Sequence, residues 1–242
     1  MLFRSYLLSK TSVKELLFQG KKVFGCCVKD KFNKEINYYA NYEVLVCGGA
    51  IQTPALLQRS GIGDPRILRD LGIKCLVDLP SVGRGLKDHA NVRASFTVNS
   101  ILTLNNYLSN YFLFSKLIFG YLIRRRNLLA TPSATSHLLI KSTPEIEYPD
   151  LKLQLVHMIE SKRFGVGKNT KLSNNSGFSI GVSYIFPKSS GSVKITSRDY
   201  TVPPSIHANY LSETHDQNKT IHAIDLARKI VSKSPLKDYI KK

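Results

Sequence analysis

At 242 residues, with 43% hydrophobic and 21% charged residues, the chain can bury a substantial core as one large domain or two small ones, and its composition excludes a disordered or fibrous protein. The net charge of +18 is spread along the chain: residues 1–121 hold 16 Lys and Arg against 8 Asp and Glu, and the rest hold 19 against 9. Nucleic-acid modules concentrate charge on one face or element, and the longest basic run here is Arg124–Arg126, so the charge reads as a solvated surface and no nucleic-acid partner is expected.

In chain order, Leu16–Phe18 and Lys22–Val28 read as two strands around a Gln19-Gly20 turn. A polar turn over Lys29–Glu35 leads to a strand at Tyr42–Val46 whose end is glycine-rich, Cys47-Gly48-Gly49. Thr53 and Pro54 suit the cap and first position of a short helix over Ala55–Ser60, with Gly61 as a left-handed stop. The pattern repeats with Asp64 as cap, Pro65 as opener, a helix over Arg66–Leu71 and Gly72 as its end. Ile73–Val77 reads as a strand, and Pro80, Gly83 and Gly85 mark a loop reaching Asp88-His89.

Tyr107–Ile123 is apolar and aromatic and runs into the three arginines, but its 17 residues include Asn110, Ser115 and Lys116. A spanning helix needs about 20 mostly apolar residues, which leaves a packed amphipathic helix or attachment to one membrane face. Leu151–Met158, Gly177–Phe186 and Gly191–Thr196 alternate like strands. A last helix is expected over Asp216–Ser232, with a capping box at Thr214–Gln217 and Ile221, Ile224, Ala227, Ile230 and Val231 as its apolar residues. The order predicts α/β followed by an α+β part dominated by antiparallel sheet.

Cys26, Cys27, Cys47 and Cys75 have neither CxxC nor metal-ligand spacing, and read as buried thiols of a reducing compartment. The opening Met1–Leu8 is too short an apolar stretch for a signal peptide, so a cytoplasmic location is expected, with membrane association as a variant of it. No metal constellation emerges, and none of the six histidines has a partner pattern that marks a catalytic base.

The strand, its Gly-Gly end and the helix after it are what a dinucleotide site needs, because a backbone without side chains can approach a cofactor closely. The longer run Gly49-Ala50-x-x-Thr53-Pro54-x-Leu56-Leu57-x-x-Ser60-Gly61-Ile62-Gly63 resembles the second signature of the glucose–methanol–choline (GMC) oxidoreductases. Asp78–His89, Phe186–Ile195 and Pro203–Leu211 resemble later segments of that family, nearest its choline and alcohol dehydrogenase branch. The likeness is in order along most of the chain and weakest over residues 97–175.

That resemblance implies FAD as cofactor and oxidation of the CH–OH group of a small-molecule alcohol such as choline, by hydride transfer to the flavin. It implies an incomplete, Rossmann-like FAD-binding domain at 1–95 and a partial antiparallel-sheet substrate domain at 96–242. Val13 falls where the backbone would meet the adenine, and Cys47, Gly48 and Gly49 where the strand end would approach the dinucleotide. Asp88 and His89 match a motif position to which no chemical role attaches. The family's strand–GxGxxG–helix unit is not among these residues, nor is the segment with its catalytic histidine, so no catalytic residue is assigned and a separate chain carrying the missing segments is a candidate partner. The alternative is a non-catalytic remnant, basic and associated with a membrane surface through Tyr107–Arg126.

Overall fold

The computed structural model describes residues 5–99, 101–132, 134–160 and 173–241; Met1–Arg4 of the opening apolar stretch lie outside them. The chain forms two compact units, one from residues up to 88 together with 189–210, the other from 89–188 together with 211 onward. Residues 189–210 thus pack in the first unit, where a single cut after residue 95 would assign them to the second. The architecture is mixed α/β with antiparallel sheets, as the sequence order predicts.

The first unit opens with an antiparallel meander of β1 (Ser12–Gln19), β2 (Lys22–Lys29) and β3 (Glu35–Tyr39). The third strand is therefore not Tyr42–Val46 as expected. Asp30 closes the preceding turn tightly, its Oδ1 accepting from the N–H groups of Phe32 and Lys34, so pairing resumes at Glu35. Among the described residues no strand pairs with 42–46, where Tyr42 and Leu45 are exposed.

The first helix, α1 (Gly49–Arg59), also starts earlier than its local signals suggest: Gly48 is its N-cap, Thr53 is not a cap, and Pro54 lies inside it at the loss of one backbone hydrogen bond. Its end follows expectation, with Gly61 at φ +88°, where an added Cβ would sit 2.6 Å from the Lys74 carbonyl. β4 (Ile62–Gly63) precedes α2 (Pro65–Asp70), which Asp64 caps by accepting from the Arg66 N–H and Gly72 closes. Of the strand expected at Ile73–Val77, only the end pairs, as β5 (Val77–Asp78) parallel to β4.

β6 (Arg84–Leu86) takes part in a later sheet of the same unit, which is completed by the chain's return at 189–210. The core here is Ala55, Leu68, Ile73 and Ile195. In the second unit β7 (Val92–Thr97), β8 (Ala134–Ile140), β9 (Leu151–Val156) and β10 (Gly177–Tyr184) form an antiparallel sheet in the order β7-β10-β9-β8. Back in the first unit, β11 (Gly191–Lys194) pairs with both β6 and β12 (Ser205–His207).

Between β7 and β8 the predicted single helix is two, α3 (Leu104–Ser109) and α4 (Tyr111–Arg124). Asn110 divides them: its backbone is extended and its Oδ1 accepts from the N–H groups of Phe112 and Leu113, so it caps α4 instead of continuing α3. The last helix, α5 (Thr214–Val231), starts at Thr214 and so leaves no place for a cap there. It packs Ala223, Ala227 and Val231 against Leu151, Leu153, Ile180 and Val182 of the sheet. Its buried stripe runs Asp216, Thr220, Ala223, Ala227, Val231, and Ile224 packs against the same core, while Ile221 and Ile230 are exposed; small side chains let the helix lie close to the sheet.

Candidate functional site

Three of the four residues expected at a cofactor meet at one cavity of the first unit. Val13 lies in β1 beside a bulge that interrupts the pairing between Val13 and Glu15. From the other side come Val44–Gly48, and below them Gln52, Leu56 and Arg59 of α1. Together with Ser12, Leu16, Cys26 and Tyr200 these residues enclose about 560 Å³, within the usual range for a small-molecule site. Gly49 does not line the cavity; it opens α1 at φ +71°, a left-handed value that glycine adopts without strain.

Local structure explains the shape. Residues 43–48 belong to no ladder, so their backbone groups are not committed to a strand partner. Gly48 turns this segment into α1, and an added Cβ there would lie 3.0 Å from the Thr53 nitrogen and 3.2 Å from the Gln52 Cβ. The helix N-terminus behind Gly48 adds N–H groups without intrahelical partners. At the far end of α1, the Ser60 hydroxyl accepts from the Leu16 N–H at 2.9 Å and donates to the Leu56 carbonyl at 2.7 Å. These bonds pin the helix to β1 and hold the cavity walls in register.

Two features of the lining could not be found by local pattern. Arg59, 9% exposed, donates from Nε to the Lys14 carbonyl at 3.3 Å, and burial pulls its pKa below the ordinary value. Tyr200 arrives from the 189–210 return of the chain, far away in sequence. Burial pushes the pKa of the Cys26 thiol, also in the lining, up. All four cysteines are free, Cys47 being exposed.

The Asp88-His89 pair divides between the units. The Tyr210 hydroxyl donates to Asp88 Oδ2, and that carboxylate raises the tyrosine's pKa. His89 Nε2 lies 3.0 Å from the Ile185 carbonyl oxygen. Elsewhere in the second unit His157 Nε2 sits 2.7 Å from the Thr135 hydroxyl and His215 Nε2 3.2 Å from the Tyr184 hydroxyl. Among the described residues no three His, Cys, Asp or Glu side chains are grouped so as to hold a metal ion.

Comparison with known proteins agrees with the motif reading. Two GMC oxidoreductase family models match, the N-terminal one over residues 4–91 and the C-terminal one over 187–241. The oxygen-dependent choline dehydrogenase of Staphylococcus saprophyticus is 32% identical over 234 residues, covering 96% of this chain and 40% of that enzyme. The enzyme of the same name from Chromohalobacter salexigens is 31% identical, covering 92% of this chain and 38% of its own. Among solved structures, a variant of Aspergillus oryzae RIB40 formate oxidase superposes with a TM-score of 0.80 at 21% identity, over 96% of this chain and 44% of that one. Pyridoxine 4-oxidase from Mesorbium loti gives a TM-score of 0.74 at 21% identity, over 96% and 40%. The chain thus spans about two fifths of the length of the curated relatives it matches. On these grounds the chain belongs to the GMC oxidoreductase family.

Proposed function

We propose that the chain is part of an FAD-dependent oxidoreductase that acts on the CH–OH group of a small alcohol of the choline type, and that it contributes one wall of the cofactor site. The observation that carries the reading is the cavity at which Val13, Cys47 and Gly48 converge. Its residues fit part of such a cofactor. Val13, Val44, Val46 and Leu56 offer apolar walls to a flat heteroaromatic ring, the backbone of 43–47, which joins no ladder, offers hydrogen bonds, and Gly48 keeps the approach free of side chains. Bound flavin would supply the hydride acceptor. The chain's own contribution is to bind and orient, through the Val13 backbone, the Cys47–Gly49 turn and the fixed position of α1.

In this reading the first unit, residues up to 88 with 189–210, belongs to the cofactor domain, and the second unit, 89–188 with 211 onward, to the substrate domain. The general base for the alcohol proton would come from residues beyond these, on the same polypeptide or on a separate chain. Four free thiols, two of them adjacent, fit a reducing compartment such as the cytoplasm.

The test is a fluorescence-anisotropy titration of FAD with the 242-residue chain. Weak binding, in the millimolar range, is expected for one wall of a site. Gly48→Val, which fills the approach and crowds Thr53 and Gln52, should weaken it at least tenfold. Equal affinity for the two proteins would overturn the assignment of this cavity.

A further inference from the structure

A second surface, in the other unit and independent of the flavin reading, carries its own chemistry. α4 is apolar on both sides. Its inner side places Leu117 in the interior, with Leu113, Phe114 and Tyr121 half-buried. Its outer side exposes Tyr111 (94%), Phe112 (75%), Phe119 (67%), Leu122 (63%) and Ile123 (67%), with Ile118 at the margin (37%). These positions recur at three- and four-residue steps and fall on one stripe of the helix. A soluble helix normally turns its polar face outward, and here the outward face is the more aromatic one.

Charge decides what such a face fits. Lys116 lies beside the stripe, and Arg124, Arg125 and Arg126 follow its C-terminal end, all four exposed. Between His89 and Pro144 the sequence has no Asp or Glu. A second copy of the chain docking on this face would bring arginines to a patch with no carboxylate to meet them. An anionic phospholipid surface answers both features, since acyl chains accept the aromatic stripe and headgroups accept the arginines. Fourteen residues of helix reach about 21 Å, short of the roughly 30 Å hydrocarbon core, and no helix among the described residues is long and apolar enough to cross a membrane. We propose that α4 and Arg124–Arg126 form a membrane-docking surface, with the helix lying in the plane of an anionic bilayer interface.

The experiment is sedimentation of the full chain with phosphatidylcholine vesicles, with and without phosphatidylserine, at low and high salt. Binding is expected to require phosphatidylserine and to fall with salt. At about 1 kcal/mol, or roughly fivefold, per basic residue, Arg124→Ser, Arg125→Ser and Arg126→Ser together should weaken it on the order of 100-fold. Phe119→Glu with Leu122→Glu should abolish it; both side chains face solvent, so the fold is retained and circular dichroism checks this. The control removes the same charge elsewhere, with Lys21→Ser, Lys31→Ser and Lys34→Ser, and should bind within a few-fold of the unmodified chain. Equal losses for the two triple variants would overturn the proposal in favour of unspecific attraction. A chain that ignores vesicles, or one that self-associates through Leu122 instead, overturns it as well.

Discussion

Gln58 joins the N-terminal part of the first unit to the segment that returns at 189–210. Its side chain is 2% exposed, donates from Nε2 to the Val193 carbonyl at 3.0 Å and accepts from the Ile195 N–H at 3.1 Å. Replacing it with leucine keeps the approximate volume and removes both bonds, leaving a buried carbonyl and a buried N–H without those partners. Each orphaned group costs about 1–3 kcal/mol, and the added apolar burial returns about 1–2 kcal/mol. Taking the middle of each range, Gln58→Leu is therefore expected to destabilise the first unit by about 2–3 kcal/mol. Urea unfolding followed by circular dichroism should show a midpoint lowered on the order of 1–2 M for that unit's transition. Hydrogen exchange gives the local reading, with the Ile195 amide losing protection while amides of β9 keep theirs. An unchanged or higher midpoint would refute the argument, because leucine would then fill the site without a cost from the severed bonds.

Other expectations follow from named contacts. Asp64 caps α2 and meets Arg66 at 3.1 Å and Arg84 at 3.2 Å; the Arg66 side-chain hydrogen bond holds its carboxyl down at about 2, below its ordinary 3.8. Its stabilising contribution is thus full above pH 4 and lost as pH falls through 2, so thermal midpoints should fall over that window and Asp64→Asn should flatten the fall. In the second unit Lys219 donates to Asp150, which is 6% exposed and also bonded by the Ser142 backbone and hydroxyl. Burial works to raise that carboxyl, and the bonds from Ser142 and Lys219 outweigh it and hold it low. Lys219→Met should cost about 2 kcal/mol, since Ser142 still meets the charge and Lys219 is partly exposed; the second unit's unfolding midpoint reads it. Gly61→Ala should cost more than 1 kcal/mol by forcing a side chain into left-handed backbone and onto the Lys74 carbonyl, measured by the first unit's midpoint.

Much of the fold was legible wherever structure is set locally. The Asp64-Pro65 opening and Gly72 stop of α2, the Gly20 hairpin and the alternation of β9 and β10 all depend on a few adjacent residues. The start of α1 was not, because Thr53-Pro54 imitates a helix opening while Gly48 provides the real one. Tyr42–Val46 has a strand's composition, but a strand also needs a neighbour, and β3 takes the place beside β2. On α5 Ala227 and Val231 of the expected apolar set are buried and Ile224 packs against the core, but Ile221 and Ile230 are exposed, because the buried stripe continues through Asp216, Thr220 and Ala223 instead. Of the candidate cavity's lining, Val13, Cys47 and Gly48 were named by likeness to a family, whereas Arg59 and Tyr200 join it through folding alone.

The central claim, that this cavity is one wall of a flavin site, is tested most directly by amide chemical shifts in a nitrogen-15-labelled chain titrated with millimolar FAD. Resonances of Val13, Cys47, Gly48 and Gly49 should move together along one binding curve, while those of β9 and β10 stay still. Silence at those four amides, or shifts confined to other parts of the chain, would contradict it.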